Sequence, residues 1–451
     1  MSEQAGKQPH NRLSLCLFAS RSRPNGSIGQ MTRSVFTRTV QIGWVFLRHA
    51  LTAFVHFVRS RFLHIHRGGP GQGAPEHLRD ALLELGPTFI KLGQVLSTRP
   101  DLIPPTYEEA LSSLQDSAPP IPFDAVRDVI GQELSRDPAA AYAYIGEEPM
   151  AAASIGQVHA ARLFDGREIV VKVRRPGIIP TVESDLAILQ VMAKLAIFGR
   201  RRSVVLGFID EFAMTLRTEL DYVAEGQSAD RIRPGLTAIG VHIPMVIWEL
   251  TTSGVLTLER VCGTKITDFD LLEEMGLDRR AVARDLAYAY LKMVFSDGFF
   301  HADPHPGNLF VEADGRLAMV DFGMMGTVTA SVRAALVEIL LALATKDSMR
   351  SSAALRALGV VPSDVDEVRF AAELERLISA SVELPAGEMR VAPLLADFMA
   401  VSRRHHLRFP RELGLLVKTV VMCEGLAARL DPSFALLPLL PTFLQSTFRP
   451  A

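Results

Sequence analysis

The spacing of apolar and polar positions changes several times along the chain, and each change predicts a different element. In VQIGWVFLRHALTAFVHFVRSRFLHI (residues 40–65), Trp44, Leu47, Leu51 and Phe54 recur at helical spacing, interrupted by Arg48, His49 and His56. After a glycine-rich linker at 68–73, Leu78, Ala81, Leu82 and Leu85 fall at i, i+3, i+4 and i+7, predicting a helix from Pro75. LGPTFIKLGQVLSTRPDLIP (85–104) continues as an apolar helix carrying Lys91 and Gln94, closed by Arg99-Pro100-Asp101. PMAAASIGQVHAARL (149–163), Asp165-Gly166 and REIVVKV then read as strand, turn and strand, with Lys172 inside an apolar β-run. Leu309–Val311 and Leu317–Val320 are two short strands joined by a turn at Asp314-Gly315.

With about 150 residues per domain as a guide, 451 residues allow two or three domains. A hydrophobic fraction of 48% with 22% charged residues excludes disordered and collagen-like classes. Three widely spaced cysteines (Cys16, Cys262, Cys423) argue against a disulfide framework or a structural zinc site. The net charge of −2 excludes a globally basic nucleic-acid binder. That mean conceals two bodies: residues 1–75 carry Lys7 and nine arginines against Glu3 alone, giving +9, and the remainder carries −11. Residues 1–39, Arg- and Ser-containing with a turn at Pro24-Asn25-Gly26, read as disordered. They match an organellar transit peptide better than a secretory signal, and a translational start at Met31 is a third reading. The 40–65 helix fits lying in a membrane interface or packing on the body better than spanning, because a mid-helix Arg48 costs roughly 2.5–3.5 kcal/mol in a bilayer. Arg59 and Arg61 supply its basic flank.

The chemistry concentrates in FFHADPHPGNLFVEADGRLAMVDFGMMG (299–326). Phosphoryl transfer needs a carboxylate near the attacking oxygen, and an amide oxygen with a second carboxylate to hold Mg²⁺ across the phosphates. Asp303, Asn308 and Asp321 supply these groups from one loop–hairpin–loop unit, with His301 as a hydrogen-bonding residue beside Asp321. The competing reading makes His301, Asp303 and His305 ligands of a hydrolytic metal. A lysine in an apolar strand needs an ionic partner. In TELDYVAEGQSADRI (218–232), Glu219 and Glu225 lie six apart on different faces of one predicted helix; Glu225 is assigned to Lys172, and Glu219 is left for Lys91. The small-residue loop Ala151, Ala152, Ala153, Ser154, Ile155, Gly156 would let backbone N–H groups approach phosphates.

These residues resemble the UbiB/AarF (ADCK-type) atypical kinase-like family over roughly 78–434: Lys91-Leu92-Gly93-Gln94, the Ala-rich loop, Lys172, Glu219-x-Asp221 with Glu225, His301-Ala302-Asp303 through Asn308, Asp321-Phe322-Gly323, and Leu430-Asp431-Pro432. The resemblance implies an α+β, two-lobed protein-kinase-like fold with additional N- and C-terminal helices. Its parts would be the basic region 1–75, a helical extension 76–148, an N-lobe 149–261, a C-lobe 262–435 and a short tail 436–451. It implies that Lys91 pairs with Glu219 over the active site, that Gln94 lies near the nucleotide, and that phosphorylation of proteins in trans is disfavoured, no Ala-Pro-Glu triplet following Asp321. An alanine loop should be stiffer than a glycine one. Val255–Arg260 reads as the strand entering the hinge, with adenine on backbone around Glu259 to Val261.

The implied cofactors are ATP or ADP with Mg²⁺. The implied activity is an ATPase or a small-molecule or lipid phosphotransferase supporting isoprenoid quinone (ubiquinone) biosynthesis or membrane lipid homeostasis. The alternative is a non-catalytic, nucleotide-gated binding module for hydrophobic precursors or biosynthetic partner enzymes. The expected location is a membrane surface, the cytoplasmic face of a bacterial inner membrane or a mitochondrial or plastid equivalent. The 436–451 tail, broken by Pro438 and Pro441, should not span.

Overall fold

The computed structural model describes residues 27–62, 73–97, 102–114, 118–196, 201–362, 364–382, 390–405, 407, 411–440 and 442–443. The Pro24–Gly26 turn, most of the 68–73 linker, the Arg99-Pro100-Asp101 stop, the side chains of His56, Arg59 and Arg61, and the end of the tail lie outside these residues. So do residues 1–26 of the stretch read as disordered; from Ser27 onward that stretch is helical.

Four helices come first: α1 (Ser27–Phe62), α2 (Ala74–Leu85), α3 (Pro87–Leu96) and α4 (Pro105–Ser112). Gly86, at φ +93°, followed by Pro87, ends α2 and starts α3. Then come α5 (Phe123–Leu134), α6 (Pro138–Ala141) and the strands β1 (Tyr144–Ala152), β2 (Gly156–Arg162) and β3 (Glu168–Arg174). Three helices follow, α7 (Ile178–Ala196), α8 (Arg201–Glu219) and α9 (Tyr222–Thr237), before β4 (Val255–Glu259) completes an antiparallel sheet in the order β1-β2-β3-β4. This sheet, with α5 packed on it, is the N-lobe. Its core is Val126, Ile130, Tyr142, Val171, Val173 and Val255.

The C-lobe runs through β5 (Gly263–Lys265), α10 (Phe269–Glu274), α11 (Arg279–Leu291), β6 (Phe299–His301), β7 (Leu309–Glu312), β8 (Leu317–Met319) and β9 (Met325–Thr327). β5, β7 and β8 form one small sheet, β6 and β9 another. Five helices close the chain: α12 (Ala330–Thr345), α13 (Ser348–Ala357), α14 (Glu367–Val382), α15 (Val391–Arg404) and α16 (Arg411–Leu430). The architecture is the expected two-lobed kinase-like one with helices added at both ends.

The extra N-terminal helices pack on the inserted pair α7 and α8 rather than on the sheet: Ile42, Val45, Leu82, Leu85, Phe89 and Leu111 share one core with Val182, Leu186, Phe212 and Leu216. Burying an aromatic such as Phe89 is worth roughly 1.5–3 kcal/mol, so the layer is a structural part of the fold. Arg38 of α1 fastens it further, donating to both oxygens of Asp185 (2.7 and 2.9 Å) and to the Leu85 carbonyl (2.7 Å). The opposite face of α1 leaves Phe36, Val40, Trp44, Leu47, Leu51 and Phe54 more than half exposed, a continuous apolar stripe. No helix among the described residues is long and apolar enough to cross a membrane.

One reading of the sequence is corrected. Glu219 and Glu225 do not share a helix: Glu219 is the last residue of α8, while Glu225 lies in the first turn of α9. Asp221 is the reason. Its carboxylate accepts the Val223 N–H (3.0 Å) as the N-cap of α9, and its extended backbone breaks the run at that point.

Candidate active site

Along β3, Ile169, Val171 and Val173 face the core, and the pleat puts Lys172 on the opposite side, towards α9. Its ammonium donates to both carboxylate oxygens of Glu225 (2.9 and 2.8 Å), lies 3.4 Å from Asp321 Oδ2, and stands 5.2 Å from the centre of the Tyr222 ring. Burial works against the charge of Lys172, but Asp321 and Glu225 outweigh it and hold the ammonium well above its ordinary pKa. Burial also pushes Glu225 towards the neutral acid, opposed by Lys172.

The second half of the site comes from β6 to β9. His301 is fully buried; its Nδ1 accepts the Asp303 N–H (3.2 Å), its Nε2 faces the Val320 carbonyl (3.4 Å), and its ring meets Phe322 edge-on at 5.7 Å. It therefore holds the loop to the Asp321 segment. Asn308 Nδ2 donates to the Asp303 carbonyl (3.4 Å), and the Asn308 carbonyl accepts the Val320 N–H (2.9 Å). Asp321 sits at φ +63°, a left-handed conformation that costs a non-glycine residue energy and recurs where geometry serves function. Partial burial favours its neutral form, yet Lys172, Lys91, the Gly323 N–H and His301 together bring its carboxyl down to about 2. Asp321 is thus a firmly ionised carboxylate, and Asn308 adds a neutral oxygen. Two hard oxygen donors suit Mg²⁺, which keeps waters and nucleotide phosphates as its other ligands.

The hydrolytic alternative is not assembled. His301 uses its ring on the backbone, and the exposed His305 folds back to accept the Gly307 N–H (3.1 Å). Among the described residues no three His, Cys, Asp or Glu side chains converge as a metal cluster.

Lys91 of α3 is buried and forms an ion pair with Glu219 at the end of α8. Its charge also acts on Asp321. Gln94 donates to the Leu114 carbonyl (3.2 Å), which ties α3 to the segment after α4. Between them, Gly93 is closely packed: a Cβ would lie 2.3 Å from Leu114 Cδ1 and 2.9 Å from Leu82 Cδ1, so both leucine side chains would have to shift.

One expectation needs correction. Ala151 and Ala152 belong to β1, paired with Val158 and Gln157, and only Ala153 to Ile155 form the turn. Within that turn the Ala153 N–H bonds the Gly156 carbonyl (2.9 Å), while Arg175 takes the Ala153 carbonyl (2.8 Å) and, through its own N–H, the Ile155 carbonyl (2.9 Å). Ser154 and Ile155 are buried. The loop is held by its own backbone bonds, and Gly156 is small because a Cβ there would meet the Tyr222 hydroxyl at 2.0 Å. At the hinge, the Glu259 N–H is already bonded to the Met245 carbonyl (2.9 Å), and its carboxylate accepts the Met245 N–H (3.1 Å). Glu259 therefore braces the strand through its N–H and its carboxylate. Val261, half-buried beyond the end of β4, is the other hinge position.

Comparison with known proteins agrees with this geometry. The ABC1 atypical kinase-like domain matches residues 113–354 and the UbiB helical domain residues 374–435. The chain belongs to the ABC1/UbiB atypical kinase-like family. A probable protein kinase UbiB of Marinobacter nauticus is 34% identical over 438 residues, covering 93% of this chain and 79% of its own. The chloroplastic Activity of bc1 complex kinase 7 of Arabidopsis thaliana is 37% identical over 378 residues, 82% of this chain but 54% of its own. An uncharacterized Synechocystis protein, slr1919, is 36% identical over 365 residues; the chain covers 64% of its length. Among solved structures, a complex of Rv3197 with erythromycin from Mycobacterium tuberculosis superposes with a TM-score of 0.57 over 81% of this chain and 93% of that one. At 23% identity it supports the fold alone.

Within this ABC1/UbiB chain the structure adds residues that the motifs did not supply. Tyr222 lies beneath Lys172 and Gly156, its hydroxyl fully buried without a hydrogen-bond partner among the described residues. Lys418 of α16 brings its ammonium to 4.0 Å from Asp303 Oδ1. Thr419, buried, donates its hydroxyl to the Leu415 carbonyl of its own helix (2.8 Å), and the same hydroxyl lies 3.3 Å from the Ala302 carbonyl. A signal for Lys418 was present: it is a lone cation within the apolar run LGLLVKTVVM, the same anomaly that marks Lys172.

Proposed function

We propose that this protein is a Mg²⁺-dependent ATP-binding enzyme, acting as an ATPase or as a phosphotransferase towards a small molecule or lipid. The observation that carries the reading is the Lys172–Glu225 pair, bidentate and within 3.4 Å of Asp321, on the same site as Asp303 and Asn308. Lys172 is placed to bind nucleotide phosphates while Glu225 fixes its direction. Asn308 and Asp321 would hold Mg²⁺, which when bound neutralises phosphate charge. Asp303 orients the attacking hydroxyl or water and accepts its proton. Asp321→Asn should abolish Mg·ATP-dependent thermal stabilisation, about 2.7 kcal/mol at a hundredfold excess over Kd by mass action. Undiminished stabilisation removes Asp321 from the metal site.

The Lys91–Glu219 pair beside Asp321 favours a second reading, a nucleotide-gated module that binds a hydrophobic precursor or a partner enzyme without turnover. Phosphate release with and without anionic liposomes separates the two, since the module binds Mg·ATP and releases none. In both readings the protein works at an anionic membrane. The support is the apolar stripe of α1 together with the +9 charge of residues 1–75. Trp44→Asp with Leu51→Asp should then lose flotation with anionic vesicles while the melting temperature is kept. The pathway served, isoprenoid quinone biosynthesis or lipid homeostasis, belongs to this proposal.

A further inference from the structure

Phosphoryl transfer places negative charge on the three outer oxygens of the group in flight, and a kinase-like site meets it with fixed cations. Here the loop that carries Asp303 contributes none: Pro304, His305, Pro306 and Gly307 separate it from Asn308, and His305 is turned out onto the Gly307 N–H. Of the lysines at the site, Lys172 is engaged in two short hydrogen bonds to Glu225, and Lys91 is paired with Glu219. Lys418 differs from both. Its nearest carboxylate, Asp303 Oδ1, is 4.0 Å away, an ion pair beyond hydrogen-bond length. Burial and the charge of Lys91 lower its pKa while Asp303 raises it, so the ammonium is held poorly solvated among site groups. Its neighbour Thr419, buried, bonds the Leu415 carbonyl of its own helix (2.8 Å) with its hydroxyl 3.3 Å from the Ala302 carbonyl, so this turn of α16 packs against the catalytic loop at the residue before Asp303.

We propose that Lys418 is a catalytic residue that engages the γ-phosphoryl oxygens of ATP, a cation imported from the C-terminal helical domain into the active site. The inference rests on the phosphotransfer reading above. In the step it serves, the acceptor oxygen forms a bond to the γ-phosphorus as the bond to the bridging oxygen breaks. The acceptor's proton passes to Asp303, and ADP leaves with the bonding electron pair. Because Lys418 stands on the Asp303 side of the site, it touches the γ-group and not the phosphates of ADP. It therefore sets a preference for ATP over ADP.

The test is calorimetric titration of the full-length protein with Mg·ADP and with a non-hydrolysable Mg·ATP analogue, together with phosphate release, for wild type, Lys418→Met, Lys418→Gln and Lys418→Arg. Lys418→Met should weaken the ATP analogue by about tenfold, the scale of one charge-assisted hydrogen bond, and leave Mg·ADP within about twofold of wild type. Turnover should fall on the order of a hundredfold, the usual loss for one electrostatic donor, and Lys418→Arg should recover most of the ATP affinity. Equal losses for both nucleotides, or no loss for either, overturn the proposal and leave Lys418 a brace for the loop. If Lys418→Met melts early, the ATP-to-ADP ratio of Lys418→Gln decides in its place. Failure of the wild type to bind either nucleotide overturns the underlying reading, an outcome distinct from normal binding with unchanged discrimination in the variants.

Discussion

A methyl group at position 156 tests whether the loop before Lys172 is shaped by packing or by its ligand. In Gly156→Ala the new Cβ would lie 2.0 Å from Tyr222 Oη and 2.9 Å from the Val173 carbonyl oxygen. Both neighbours must move, and one of them is strand backbone. Overpacking of this kind costs about 1–3 kcal/mol, and the lower entropy of an unfolded alanine returns only about 0.4–1. A net loss of about 1–2 kcal/mol is expected in urea unfolding. Tyr222→Phe removes the closest atom and leaves Cζ at 3.4 Å, an ordinary contact. Taken alone, it deletes a buried hydroxyl without a hydrogen-bond partner among the described residues, so it should be neutral or slightly stabilising. The double variant should recover about 1–2 kcal/mol relative to the sum of the singles, a coupling within the range for residues in contact. The reasoning is refuted if Gly156→Ala unfolds like wild type yet loses Mg·ATP affinity. In that case the glycine admits phosphate and the Tyr222 contact is incidental.

Other substitutions probe the remaining joints. Glu225→Gln strands a buried ammonium and should cost about 3 kcal/mol in urea unfolding, less if Asp321 takes over, while Lys172→Met with Glu225→Gln should cost less than the single change. Arg38→Ala leaves Asp185, 1% exposed, without its bidentate partner; a loss of about 3 kcal/mol is expected, with limited proteolysis cutting first within α1. Thr419→Val removes the hydroxyl that stands 2.8 Å from the Leu415 and 3.3 Å from the Ala302 carbonyl, and should lower phosphate release several-fold while leaving Mg·ADP affinity unchanged, read by calorimetry.

Legibility from the sequence followed the range of the interactions. Contiguous patterns were readable: β2, the Asp165-Gly166 turn and β3, the β7–β8 hairpin, and the α1 stripe whose members Trp44, Leu47, Leu51 and Phe54 all face outward. Lys172, Asp303, Asn308 and Asp321 were readable because the spacing of polar residues between short strands has little freedom. Features set by long-range partners were harder. Asp221 looked like one more charge in a polar helix until its capping bond divided α8 from α9. Ala151 and Ala152 looked like loop because the ladder to Val158 and Gln157 is decided by the partner strand. The bracing of Glu259 was not readable because Met245, fourteen residues earlier, cannot be placed beside it by local pattern.

The same distinction explains why α16 escaped notice as part of the site. Its apolar periodicity announces a core helix, and Leu413, Leu416, Leu426 and Leu430 indeed fill the C-lobe core. Yet three polar residues break that periodicity, and each acts on another element. Glu424, 2% exposed, accepts the N–H groups of Val391 and Ala392 (both 2.9 Å), capping the first turn of α15. Thr419 reaches the Ala302 carbonyl, and Lys418 stands at Asp303. The leucine face sets which side of the helix turns to the core, and the polar contacts add partners on other elements. In that orientation Lys418 points at the catalytic loop. On the proposal made for Lys418, the C-terminal helical domain contributes to the active site, with a single helix carrying both the contact with the loop and the cation beside its carboxylate.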